Sequence, residues 1–412
     1  MGQKQKISEE QLQGFKLLKS FQRVLERVSK RHVPHPSWKD PRRTLQLDEY
    51  LSLYLFGLLN PALESMRAVC EATKFAKVQE CACSGKCSPS SFSEMQHLID
   101  LALLEDVFND LAQQLQQRQG SDGKKASWRI NDSSVFDVLK RMDWAYFQTH
   151  KGLPQCAVRM HVSLDLLSLA PVSVGIDKAR MCERKLWKKS WKPGVGQIGD
   201  RNYSQNYNLL RLLERQEGLF VLRLREKQVH LSQIEALPVG DACRREGVTR
   251  QAMANLGKSV EKPGPRVRVA WIQAKDGSDL MLATNQGLEQ MSAAEISQLY
   301  RQRWQIELFF RWIKCILGCR HFLAESPKGV SIQLYLALIA AMLVQLYLGE
   351  RPNKRMWEAF NSIAWDSSAR KSWKPASPGK SSSNKENARK NPKSSRPKQL
   401  QSQIAVYRWL YR

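Results

Sequence analysis

Residues 300–314, YRQRWQIELFFRWIK, constrain this chain more than any other stretch. At about 100° per residue, Tyr300, Arg303, Glu307 and Lys314 fall within roughly a 60° sector of one helix, with Ile306, Phe309, Phe310 and Ile313 as an apolar flank. The spacing predicts a single amphipathic helix carrying one carboxylate inside a basic stripe. Its plainest use is an i,i+4 ion pair, Arg303 with Glu307, which stabilises a helix by only about 0.2–0.5 kcal/mol. A metal site needs more carboxylates, and these must come from elsewhere in the chain.

The balance of 65 Lys and Arg against 39 Asp and Glu, +26 over 412 residues, points to a polyanionic partner, nucleic acid before an anionic membrane. Such a length accommodates two or three domains. The longest apolar run, 334–348 (LYLALIAAMLVQLYL), is short for a span and contains Gln345, so it is expected to be a buried helix and no membrane partner is expected. Nine cysteines, an odd number without a secretory signal segment, suggest reduced thiols in a cytoplasmic protein. Cys81 and Cys83 enclose one residue, not the two to four of structural zinc pairs, so Cys81, Cys83 and Cys87 are not read as a zinc site and have no assigned role.

Residues 1–116 read as a helical N-terminal domain able to dock on a duplex. It has one helix within 1–31, two within 46–78 parted near Asn60 and Pro61, and one from about Phe92 to Gln116 capped by Ser91 or Ser93. No pattern is sharp enough to name a recognition helix. A polar linker follows at 117–126. Residues 127–226 carry strand patterns at 127–131, 156–165, 169–176, 194–200 and 219–224 and a helix at 204–216, the makings of a mixed α/β sheet. Strand-like pieces in 227–291 read as a β-rich insertion, after which 292–350 supplies the helical second part of the core. Residues 351–412, with 15 Lys and Arg against 3 acids, form a basic low-complexity tail.

Within 178–192, seven cations including Lys188 and Lys189 surround one acid, Glu183, and interleave with Trp187 and Trp191. This composition fits phosphate contact and base stacking as well as it fits a solvated loop. Two acids stand at ends of expected strands and a third on the later helix: Asp132, Asp200 and Glu307. Were the first and fourth strands neighbours, with the helix packed across them, these carboxylates would offer the hard oxygen ligands that Mg²⁺ or Mn²⁺ prefer. Asp137, Asp143, Asp165 and Asp177 are rivals on physical grounds alone.

Tyr300-x₂-Arg303-x₃-Glu307-x₆-Lys314 resembles the signature of the IS4-type bacterial insertion-sequence transposases. NDSSV around Asp132 resembles that family's first acidic motif, which usually has Gly or Ser and a Thr after the Asp. Asp200-Arg201-Asn202-Tyr203 resembles its second, with Asn202 in the place of a Gly, a residue that tolerates positive φ. The segment 160–177, with His161, Asp165 and Asp177, follows the spacing of the intervening strands. The resemblance covers about 127–348.

It implies an RNase H-like mixed-sheet core and metal-dependent cut-and-paste DNA transposition. Asp132, Asp200 and Glu307 would be the catalytic residues and the ligands of two Mg²⁺ or Mn²⁺ ions. Tyr300, Arg303, Lys314, Arg201, Tyr203, Lys188 and Lys189 would contact DNA, and Trp304, Trp187 or Trp191 would stack on a base. The partners would be double-stranded terminal inverted repeats and target DNA, held by paired protomers at the bacterial nucleoid. An RNase H-like nuclease without strand transfer and an inactive, transposase-derived DNA-binding protein are the alternatives.

Overall fold

The computed structural model describes residues 12, 14–118, 127–257, 263–273, 279–315, 317, 319, 321–349 and 351. The expected linker falls largely outside these residues, and the expected tail does so except for Arg351.

Six helices come first: α1 (Phe15–Ser29), α2 (Leu47–Leu59), α3 (Met66–Ala72), α4 (Ala76–Cys81), α5 (Pro89–Met95) and α6 (Leu101–Arg118). The i,i+3/i+4 apolar spacing of α1 buries Leu17, Leu18, Phe21, Val24, Leu25 and Val28. The one helix expected from Phe92 is two. Ser88, not Ser91 or Ser93, caps the first, accepting the Ser91 N–H at 3.1 Å, because Pro89 is preformed for a first turn and has no N–H to satisfy. Asp100 restarts the second by accepting the Ala102 N–H at 3.0 Å.

The strands are β1 (Trp128–Asp137), β2 (Tyr146–His150), β3 (Leu153–Asp165), β4 (Pro171–Lys178), β5 (Gly196–Gly199), β6 (Leu219–Arg223), β7 (His230–Leu237), β8 (Val248–Gly257), β9 (Pro263–Gln273) and β10 (Asp279–Thr284). Interleaved are α7 (Glu183–Lys189), α8 (Tyr207–Arg215) and α9 (Asp241–Arg245), and the described chain closes with α10 (Ala293–Arg301), α11 (Trp304–Cys315) and α12 (Pro327–Leu348). One mixed sheet runs β2-β3-β1-β5-β6-β10-β9-β8-β7, with β4 also on β3. β3 lies antiparallel to β1, whereas β5 is parallel to both β1 and β6. The first and fourth of the expected core strands, which are β1 and β5, are thus neighbours. The expected insertion does not form a sheet of its own, because β10 pairs with β6 (Leu282 opposite Arg223) and carries β9, β8 and β7 onward from it.

Side chains alternate across a strand, so each strand feeds two cores. Ile130, Ile198 and Val221 point into the larger one with the N-terminal helices, α11 and α12. Phe220 and Leu222 enter the smaller one with Trp187, Tyr203, Leu210 and Leu213. Helix α12 is long and apolar enough to cross a membrane, yet residues 330 and 332–345 are buried within the protein. Its two interior amides are bonded: Gln333 accepts from the Tyr54 hydroxyl and the Leu323 N–H, each at 2.9 Å, and Gln345 donates to the Ser168 carbonyl at 2.6 Å. These bonds remove the desolvation cost of burying two amides.

Candidate active site

The parallel pairing of β1 with β5 sets Ile130 opposite Ile198; Asp132 follows two residues on in β1, and Asp200 stands just past the end of β5 at Gly199, near enough for its charge to push the Asp132 carboxyl up. Asp200 leaves the end of β5 in a tight turn in which its Oδ1 accepts the Asn202 N–H at 2.8 Å and its carbonyl accepts the Tyr203 N–H at 3.2 Å. Positive φ is not needed there: Asn202 is right-handed helical at φ −77°, and its side-chain oxygen accepts from Arg225 Nη2 at 2.7 Å. Asn replaces Gly for its side chain, not its backbone freedom.

The single helix expected over 300–314 is broken. Between α10 and α11 the ladder contracts to i→i+3 bonds: Gln302 to Leu299, Arg303 to Tyr300, Gln305 to Gln302 and Ile306 to Arg303. A common helical face for Tyr300 and Glu307 therefore does not exist. Tyr300 is buried on α10, and burial pushes its hydroxyl pKa up, which turns it from a DNA contact into a wall of the site. Arg303 lies at the junction, its guanidinium carbon 5.9 Å from the centre of the Tyr300 ring.

From that junction Arg303 reaches two acids of different elements. Its Nη1 lies 3.5 Å from Asp132 Oδ2 and its Nη2 lies 2.5 Å from Glu307 Oε1. The side chains of Arg303, Asp132 and Glu307 are 19%, 21% and 32% exposed, so the cluster is half-withdrawn from solvent. Burial raises the Asp132 carboxyl to about 7; Asp200 and Glu183 push the same way, against the Ser133 N–H and Arg303.

Among the described residues no three His, Cys, Asp or Glu side chains gather closely enough to hold a metal ion. The donor chemistry still fits a hard divalent cation, since all three candidate acids offer carboxylate oxygens, and burial with the neighbouring acids holds the Asp132 carboxyl up in spite of Arg303. What stands between Asp132 and Glu307 is the guanidinium.

The other expected contacts divide by burial. Arg201, Lys188 and Lys189 are exposed, and so is Trp304, at 42%. Lys314 turns inward: its Nζ donates to the Val135 carbonyl of β1 at 2.5 Å and lies 4.8 Å from the Phe136 ring centre. Tyr203 and Trp187 are fully buried in the smaller core and meet edge to face at 5.0 Å, which removes both from any DNA-facing surface. The Tyr203 hydroxyl bonds His161 Nε2 at 3.1 Å, and the Trp187 indole donates to Gln197 Oε1 at 3.2 Å. Trp191, partly buried, packs edge to face on Trp187 at 5.0 Å.

A polar group that the sequence did not single out lies behind Asp132. Ser133 donates to Glu183 through a short bond, and Arg159 Nη1 donates to Ser133 Oγ at 2.8 Å and lies 3.5 Å from Glu183. The available signal was Glu183 itself, a lone acid among seven cations: a carboxylate kept there is pairing with something. It anchors the basic helix α7 to the strand that carries Asp132.

Residues 123–343 match the family model of the transposase DDE domain. A chain designated a transposase, y4zB of Sinorhizobium fredii, is 28% identical over 257 residues, which are 60% of this chain and 67% of that one. A transposase designated for insertion sequence element IS5377 of Geobacillus stearothermophilus is 27% identical over 218 residues, 53% of this chain and 55% of its own length. Another, for insertion sequence element IS4SA of Synechocystis sp., is 21% identical over 321 residues, 75% and 84% of the two chains. Among solved structures, a cryo-EM structure of the piggyBac transposase synaptic complex with hairpin DNA aligns over 85% of this chain and 78% of that one. The alignment has 10% identity and a TM-score of 0.42, too loose a likeness to establish a common fold.

Proposed function

The chain belongs to the transposase DDE domain family, and from that membership we propose a cut-and-paste transposase of the IS4 type. It cleaves the double-stranded ends of its own element and joins the freed 3′ ends to a target duplex. The observation that carries this reading is that Asp200, just past the end of β5, lies near enough to Asp132 on the neighbouring parallel strand for its charge to raise that carboxyl, with Glu307 one guanidinium away from Asp132. The strand order β4-β3-β1-β5-β6, antiparallel at β3 and parallel from β1 onward, supports an RNase H-like core split into 127–226 and 292–350.

Asp132, Asp200 and Glu307 would hold two Mg²⁺ ions, with Mn²⁺ as a substitute, and the bound ions would activate the attacking oxygen and stabilise the departing 3′ oxygen. The protein's own groups do the positioning. The pairing of β1 with β5 brings the two aspartates to the same end of the paired stretch, and the Asp200 turn holds one oxygen of that carboxylate on the Asn202 N–H. Arg303 has the planar fork suited to a phosphate. Arg201, Lys188 and Lys189 are exposed cations that would draw a duplex in, and Trp304 presents an indole on which an extruded base can stack. The N-terminal helices would add duplex contacts, and paired protomers would hold two ends at the nucleoid of a bacterial cytoplasm.

The test is Glu307→Gln. Metal-dependent strand cleavage should fall by roughly a thousandfold or more, while binding to the element's ends persists. Cleavage by purified E307Q at the wild-type rate overturns the assignment.

A further inference from the structure

In the free protein the gap between two of the three acids is not open water: it is closed by a cation that the chain supplies itself. Arg303 spans Asp132 of β1 and Glu307 of α11, with guanidinium nitrogens 3.5 and 2.5 Å from their oxygens. A surface i,i+4 pair would leave Asp132 out of the contact. Here the same guanidinium meets an acid 171 residues earlier in the chain, and all three side chains are at least two-thirds covered. The backbone beneath it belongs to neither helix, because i→i+3 bonds join α10 to α11 at Gln302 and Arg303. A side chain rooted at such a junction can change direction without unwinding a turn of helix.

We propose that Arg303 is a place-holder for the divalent cation: it closes the Asp132–Glu307 gap in the free protein and vacates it when a DNA phosphate takes the guanidinium. The proposal rests on the metal-dependent reading of the site and adds a coupling to it. A guanidinium and a metal ion compete for the same carboxylate oxygens, whereas a phosphate competes for the guanidinium. Duplex therefore strengthens cation binding, and by reciprocity the cation strengthens duplex binding by the same factor. A protein that loads its metal chiefly on DNA keeps its hydrolytic centre idle elsewhere. If the guanidinium closes the gap in nine molecules of ten, cation affinity in the free protein is lowered about tenfold.

The experiment counts bound Mn²⁺ by electron paramagnetic resonance of the free aquo ion, in full-length protein with and without a short duplex. Arg303→Gln removes the charge and keeps much of the side-chain length. Arg301→Gln makes the same charge change two residues away at a cation paired instead with Glu246, and so controls for general repulsion. In the absence of DNA, R303Q should bind Mn²⁺ about tenfold more tightly than wild type, with R301Q within about twofold. Adding duplex should raise wild-type affinity by a similar factor and leave R303Q unmoved. Should R303Q fail to fold, Arg303→Lys, a point charge that cannot fork between two acids, should still bind Mn²⁺ more tightly than wild type. Mn²⁺ bound by wild type and lost in Asp132→Asn, with no gain in R303Q or R303K or an equal gain in R301Q, overturns the place-holder alone. No Mn²⁺ bound by any of them, with or without duplex, overturns the metal reading as well.

Discussion

Asp132 and Ser133 are consecutive residues on one strand, and they face opposite worlds. In front of β1, Asp132 shares a half-wet cleft with Arg303 and Glu307, where one guanidinium serves two acids and Asp132's carboxyl is raised to about 7. Behind it, Ser133, Arg159 and Glu183 are bonded to one another, and the buried His161 bonds the Tyr203 hydroxyl over the smaller core. In front, one cation is shared between two acids of different elements; behind, Ser133, Arg159, Glu183, His161 and Tyr203 each have a bonded partner. The proposed site lies on the front, and the bonded groups behind support the strand that carries it.

The largest effect that bears on this contrast is at Trp187. Truncating it to Ala should destabilise the fold by about 3–5 kcal/mol, because an indole buried among Tyr203, Trp191 and Gln197 leaves a cavity and takes away one of the two hydrogen bonds to the Gln197 amide oxygen, the other coming from Asn131. Urea unfolding measures this, and a loss below 1 kcal/mol would mean that the groups behind β1 do not support the strand.

A smaller effect is set by acid. Burial, helped by Arg159, lowers the His161 pKa to about 3, whereas in the unfolded chain it titrates near 6.5. As pH falls below that unfolded value the unfolded chain takes up the proton first, so stability is intact above pH 6.5 and declines toward pH 3. The decline from this residue is about 3 kcal/mol by pH 4. His161→Gln should flatten the acid limb of a stability profile by that amount, and parallel profiles for the two proteins would contradict it.

The smallest effect belongs to the front. Trp304→Ala, at an exposed indole, should change stability by less than about 0.5 kcal/mol while weakening binding to DNA with an unpaired base. Its stability change should be at least several times smaller than that of W187A, and near-equality would erase the distinction between the two tryptophans.

Much of the sheet was legible because its strands carry strong local patterns: the runs expected at 127–131, 156–165 and 194–200 fall in β1, β3 and β5. The end of the first was misjudged, since β1 continues to Asp137 along β3 and Asp132 lies in mid-strand; such a continuation depends on the partner strand. Burial was harder to read. Tyr203 lies in a motif of exposed and acidic residues and Trp187 in a basic run, yet both are buried, because helix α7 and the turn after β5 each pack one side chain into the smaller core. The break at Gln302 was invisible, as residues 300–314 contain no Gly or Pro and their hydrophobic period continues through it. That the strands of 227–291 extend the core sheet could not be read from them, because a pairing such as that of β10 with β6 leaves no mark on either segment taken alone.

Helix α12 sets a schedule for the nascent chain. Tyr54 in α2 waits for Gln333, 279 residues later, and Glu105 in α6 waits for Tyr335. At synthesis rates of about 5–20 residues per second the first wait lasts roughly 15–60 s, during which the N-terminal helices are on the ribosome without the apolar rod that fills their centre. Those helices can gather only loosely until the last described helix emerges, so the final step of folding inserts the end of the described chain into its beginning.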